Sequence, residues 1–169
     1  MKVVSVFYSS INNMGDILNK NIIEKCFHVK VIRKDSYNAL ISGIGSGLGS
    51  YQFNNSKLSN LKKRLYGFLY PKAYIWGTGF ISYNDFGKKF FKKKLCFCSV
   101  RGNLTKQRVE KILNKKMDIP LGDGGILASY LLDEQVEKKY QVGIIPHFRE
   151  KDSSHFKQLR DFFKGSTII

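Results

Sequence analysis

Short apolar runs alternate along this chain with longer segments whose apolar residues recur at helical spacing. That alternation constrains the fold more than any single motif. The run "KVVSVFY" at 2–8 is rich in β-branched residues and reads as a buried strand. Further strand-like runs lie at 28–33, 39–44, 73–76, 94–99 and 139–144. They are mostly continuous rather than alternating in and out, which predicts strands covered on both faces. Helical patterns fall at 15–26, 57–66, 103–114, 124–136 and 153–163. In the first, Ile17, Leu18, Ile22 and Cys26 share a face; in the last, Asp152 stands as the cap before Phe156, Leu159 and Phe163. Strand alternating with helix predicts an α/β fold, a doubly wound parallel sheet of five to seven strands with helices on both faces.

The 169 residues, 43% of them hydrophobic, suffice for one domain with a proper core. No stretch approaches the roughly 20 apolar residues of a membrane span. The start "MKVVSVFYSS" lacks a signal peptide's long apolar centre and cleavage site, so a cytoplasmic setting is expected. Cys26, Cys96 and Cys98 make no disulfide framework, and Cys96 and Cys98 alternate on "KLCFCSV" as small apolar residues. Neither Cys26-x-His28 nor Cys96-x-Cys98 has a second ligand pair at finger-like spacing, so no metal is expected. The net charge of +16 would suit nucleic acid or the anionic inner face of a membrane. No nucleic-acid reader motif accompanies it, so nucleic acid is set aside. The densest run, "KKFFKKK" at 88–94, reads as a solvated lysine collar around two buried phenylalanines, compatible with weak adhesion to anionic membranes.

Glycines mark the positions open to chemistry. In "GIGSGLG", Gly43, Gly45, Gly47 and Gly49 alternate strictly, so the dinucleotide pattern G-x-G-x-x-G is not met. "SYNDFGKK" likewise fails as a P-loop, and no Gly-x-Ser-x-Gly elbow occurs. Yet "IGSGLGS", "WGTGF" and "VRGNLT" each follow a strand run, which predicts a shared rim at the carboxyl ends of the strands. Gly45, Gly77, Gly79 and Gly102 belong to it. Arg101 stands between a strand end and a helix start that Asn103 is placed to cap, a position that favours an anion. His147, in "VGIIPHFREKD", is a candidate general acid or base, or a donor that orients a ligand. His28, opening a strand, and His155, on a helix, read as structural or solvated. In the polar hinge after the first strand, Asn13 and Asp16 either cap the following helix or face a ligand that Gly15 lets approach.

In order, "NNMGDILNKNII", "ISGIGSGLGS", "YIWGTGFI", "SVRGNLTKQRVEKIL", "IPLGDGGILASYLL" and "VGIIPHFREKD" resemble the polysaccharide pyruvyl transferase family, most closely the branch that decorates bacterial exopolysaccharides. The resemblance implies transfer of pyruvate from phosphoenolpyruvate to a sugar or lipid-linked oligosaccharide as a ketal, with no further cofactor. It also implies two Rossmann-like domains facing a cleft in a GT-B-like arrangement. On this reading residues 1–169 form the N-terminal domain, Thr167–Ile169 begin a further strand, and the arginine- and histidine-containing motif of the second domain has no counterpart. A separate C-terminal-half chain would then be a partner, and the 169 residues alone would be inactive. Gly124 in "GDGG" stands where the family more usually has proline. The resemblance places Asn13, Gly15 and Asp16 at the cleft, with Asp16 accepting sugar hydroxyl protons, and leaves Arg101, Asp123 and His147 to supply part of the remaining chemistry. The reading of another class is a non-catalytic module of the same fold that binds a glycan.

Overall fold

The computed structural model describes residues 1–9, 13–82, 89–132, 137, 142–145, 150–163 and 167–168. The chain divides into two units, Met1–Leu131 and Leu132–Ile169. In the first, β1 (Val3–Phe7) leads to α1 (Met14–Phe27), then β2 (Lys30–Lys34), β3 (Ile41–Ser42), α2 (Lys57–Leu69), β4 (Lys72–Ile75), β5 (Lys94–Phe97) and α3 (Asn103–Leu113). A 3₁₀ turn over Gly47–Tyr51 follows β3, and a longer 3₁₀ stretch covers Gly124–Leu131. The five strands form one parallel sheet in the order β2-β1-β3-β4-β5.

The register shows how that sheet is covered. Val6, Ile41, Tyr74 and Cys96 stand in one row across four strands, and Phe7, Ser42, Ile75 and Phe97 in the next. Adjacent rows point to opposite faces. Two separate core clusters match them. Val6 and Val31, with Val4, Ile41 and Trp76, pack with Ile23 of α1. Ala73 and Ile75, with Phe7, Leu95 and Phe97, pack with Leu48, Tyr51, Phe91 and Val109 of α3. Helices therefore cover both faces, and the sheet is the expected Rossmann-like α/β type.

Several local expectations are corrected. The buried face of α1 is Asn19, Ile22 and Ile23, whereas Ile17 is 42% exposed and Cys26 is exposed. His28 does not open a strand: it ends α1 in the left-handed conformation, φ 51°, and β2 starts two residues later. Asn103 is the first residue of α3, and Gly102 holds the cap position with no side-chain bond. Within the expected helix at 124–136, Gly124–Leu131 is 3₁₀ rather than α-helical. In the lysine-rich run, Phe91 is buried as expected, but Phe90 is only half-buried and Lys92 is only 3% exposed. Its ammonium donates to the carbonyls of Tyr70 (3.0 Å) and Ala39 (3.5 Å).

In the second unit, β6 (Gly143–Ile144) pairs in parallel with β7 (Thr167–Ile168). Between them lies α4 (Ser154–Phe162), whose cap is Ser153, accepting from the Phe156 N–H at 3.2 Å, rather than Asp152. Among the described residues, no helix is long and apolar enough to cross a membrane.

Candidate functional site

In a sheet of order β2-β1-β3-β4-β5 the chain winds one way from β1 to β2 and the other way from β3 onward. The loops leaving β1 and β3 therefore diverge at the carboxyl edge, and a ligand crevice opens between them. A cleft of about 530 Å³ lies there. Tyr8 and Ser9 from the end of β1, Asn13 and Asp16 from the start of α1, and Gly45 and Ser46 after β3 line it.

Asn13 settles the entry to α1. Its side chain accepts from the Gly15 N–H at 2.9 Å, and its carbonyl accepts from Asp16 (3.0 Å) and Ile17 (3.1 Å). This is helix capping. Asp16 is different: among the described residues its carboxylate has no hydrogen-bond or ion-pair partner. It faces Gly45, where an added methyl would come 3.6 Å from Asp16 Oδ1. Gly45 has φ +100°, in the region that glycine tolerates and other residues rarely adopt.

Behind this wall the loops are tied together by polar contacts across long sequence separations. Asn19, fully buried, donates to the Ile44 carbonyl at 3.1 Å and accepts the Ile44 N–H at 2.6 Å. Those bonds divert Ile44 from the sheet, so the strand expected over 39–44 is only Ile41–Ser42. The Gly45 carbonyl accepts from the Gly79 N–H (2.9 Å), Thr78 Oγ1 (3.3 Å) and Arg101 Nη1 (3.4 Å). Thr78 Oγ1 also accepts the Gly47 N–H at 3.0 Å. The three glycine-containing loops thus share one rim.

Arg101 holds that rim rather than facing outward as a free anion binder. Nη1 donates to Ser46 Oγ at 2.8 Å and Nη2 to the Phe80 carbonyl at 2.7 Å. Gly79 makes room for it, since a methyl there would lie 2.8 Å from Arg101 Nε. The remaining candidates sit elsewhere. Gly77, φ +73°, donates to the Ser99 carbonyl at 3.2 Å and packs on the backbone of Gly122 and Gly124. Asp123 Oδ1 accepts the Gly125 N–H at 2.9 Å, capping the second 3₁₀ stretch. Gly102 has extended backbone and open space where a side chain would be. His147 lies outside the described residues. Among the described residues no group of three or more His, Cys, Asp or Glu gathers as a metal site would require.

Asn19, Thr78 and Ser46 were not singled out by sequence reasoning. Asn19 carries the one available signal, an amide placed three residues before Ile22 on an otherwise apolar helix face. Chemically, the cleft offers serine hydroxyls and a carboxylate without a partner among the described residues, with Arg33 also lining it and donating to the Tyr8 carbonyl at 3.1 Å. Such a lining accepts hydrogen bonds from a polyhydroxyl ligand.

Fold and cleft define an α/β protein of Rossmann-like type with a ligand-sized opening at its switch point. Compared with known proteins, the chain matches no family model, no curated protein and no solved structure.

Proposed function

We propose that this chain is the acceptor-holding domain of a phosphoenolpyruvate-dependent pyruvyl transferase acting on a bacterial exopolysaccharide or other cell-surface glycan. The observation that carries this reading is the Asp16 carboxylate, without a partner among the described residues, in a hydroxyl-lined cleft. Its walls include residues of "NNMGDILNKNII" and "ISGIGSGLGS", two of the stretches that carry the family resemblance. In the reaction, the methylene carbon of phosphoenolpyruvate gains a proton and C2 becomes electrophilic. A sugar hydroxyl attacks C2, giving its proton to a base; a second hydroxyl then displaces phosphate, its proton leaving with the phosphate, and closes the ketal. Asp16 is the base in this reading. A second domain in a GT-B-like arrangement supplies the phosphate-holding groups and excludes water.

The second reading, a glycan-binding module without chemistry, is favoured by Arg101, whose guanidinium is occupied by Gly45, Ser46 and Phe80. One experiment separates the two. Phosphate release from phosphoenolpyruvate is measured with a lipid-linked or oligosaccharide acceptor, for the 169-residue chain alone and mixed with a separately expressed C-terminal half of a family member. Turnover that appears on mixing supports the transferase. Saturable glycan binding with no turnover in either case supports the module. Absence of both overturns the two readings together.

A further inference from the structure

Helix α2 is inverted relative to an ordinary surface helix. The residues it turns toward the protein are Lys63 and Gly67, both buried. Gly67 lies against the Phe91 backbone so closely that a side chain there would collide with the Phe91 carbonyl. Lys63 reaches inward to donate to the Gln52 carbonyl at 2.5 Å. The large apolar residues point the other way: Leu58 is 80% exposed, Leu61 67%, Leu65 56%, Phe68 76% and Leu69 55%. At about 100° per residue these five fall within an arc of about 100°, opposite the buried pair. Exposed apolar patches of this kind mark interaction sites.

The flanks say what the stripe meets. Exposed Lys57 and Arg64 border it on one side and exposed Lys62 on the other; Lys72 follows directly after the helix. Lys62 Nζ is held 4.9 Å above the ring of Tyr37. The helix contains no Asp or Glu, and the chain as a whole carries +16. An apolar stripe bordered by cations on both sides is the pattern of a helix lying in a membrane interface, leucines among the acyl chains and ammonium groups at lipid phosphates. Antiparallel packing of two α2 stripes would bring these cations face to face, which disfavours a second copy as the occupant.

We infer that the outward face of α2 docks this protein onto an anionic lipid bilayer. The inference is independent of the pyruvyl-transfer reading. It also moves membrane contact away from the 88–94 run, where Phe91 and Lys92 are buried.

The test is vesicle co-sedimentation of the 169-residue chain with phosphatidylcholine vesicles, with and without phosphatidylglycerol. The chain is expected to sediment with the anionic vesicles and to weaken as salt rises. The double variant Leu61→Ser/Leu65→Ser should bind at least about tenfold more weakly while its circular dichroism and melting stay unchanged, because both residues are exposed. Charge reversal at Lys57→Glu/Arg64→Glu should weaken binding and reduce its salt dependence. Absence of vesicle binding by the parent chain would overturn the inference, as would full binding by the serine variant. Sedimentation velocity supplies the remaining check: a dimer of the parent chain that the serine variant dissolves would assign the face to a second copy instead.

Discussion

The side chain of Asn19 grips the backbone of Ile44 by both of its polar groups, donating to the carbonyl at 3.1 Å and accepting the N–H at 2.6 Å. An amide fully buried on α1 thereby does what a neighbouring strand would otherwise do for Ile44, and it sets the course of the loop that walls the cleft. Asn19→Ala leaves both Ile44 groups without partners. At about 1–3 kcal/mol for each orphaned buried group, the variant is expected to lose about 2–6 kcal/mol in urea unfolding. A midpoint equal to the parent's would rule out the clasp. A double-mutant cycle adds a sharper check. A methyl at Gly43 would collide with Asn19 Oδ1, so Gly43→Ala should cost less in the Asn19→Ala background than in the parent.

Arg101 bridges loops more than 50 positions away from it in sequence on one side and about 20 on the other. Arg101→Lys keeps the charge but has no planar fork to serve Ser46 Oγ and the Phe80 carbonyl together. Both Arg101→Lys and Arg101→Ala are therefore expected to lower thermal stability, the alanine variant by about 1.5–3 kcal/mol for charged hydrogen bonds lost. Binding of neutral and anionic ligands should fall together, since what changes is the rim. Selective loss of anionic ligands at unchanged stability would return Arg101 to the anion-binding role.

These two residues also show where sequence reading stops. The strand–helix alternation was legible because a sheet covered on both faces requires apolar runs, and helices α1, α2 and α3 begin within a residue of their expected starts. The glycine rim was legible because parallel strands deliver their loops to one edge. What α1 buries was legible only at Ile22: Ile17, Leu18, Ile22 and Cys26 share a stripe, but the need to satisfy Ile44 rotates Asn19 inward. Periodicity finds an apolar face on α2 without saying whether that face turns in or out. Nor does a run of lysines reveal that one of them, Lys92, closes over two carbonyls inside the fold.

Burial pushes the Lys92 ammonium down to about 8 from its usual 10.5. Below about 8 the folded protein holds a buried charge that the unfolded chain keeps in water. Between about 8 and 10.5 the unfolded state binds the proton that the folded state has released, so this group makes stability rise with pH through that window. Lys63, lowered by the same cause, acts in the same direction. Tyr51 opposes them higher up: burial raises its phenol above 10, so stability falls above pH 10 as the unfolded phenol ionises first. Urea midpoints measured from pH 7 to 10 should therefore climb above pH 8 in the parent. Lys92→Met is expected to flatten the climb, and the difference between the two profiles isolates Lys92. Parallel profiles would mean that Lys92 is hydrated in solution.

Asn13 and Asp16 line the same cleft, but their atoms are used differently, and that difference gives the last test. Asn13 Oδ1 accepts the Gly15 N–H at 2.9 Å, so Asn13→Ala removes a cap and is expected to cost about 1 kcal/mol of stability. Among the described residues the Asp16 carboxylate bonds to nothing, while its N–H donates to the Asn13 carbonyl at 3.0 Å, a bond that Asp16→Asn preserves. Asp16→Asn should therefore melt within about 0.5 kcal/mol of the parent, the range usual for substitutions away from structural contacts. If the carboxylate accepts a sugar hydroxyl, glycan affinity measured by calorimetry should fall several-fold in Asp16→Asn, since a hydrogen bond to a charged group is worth about 1.5–3 kcal/mol and an amide oxygen recovers part of it. With a complementing second domain present, turnover should fall further than affinity, because asparagine cannot take the proton. The two variants thus separate along two axes: Asn13→Ala loses stability, and Asp16→Asn loses binding and turnover. A destabilised Asp16→Asn with unchanged glycan affinity would make Asp16 part of the helix cap and remove it from the site.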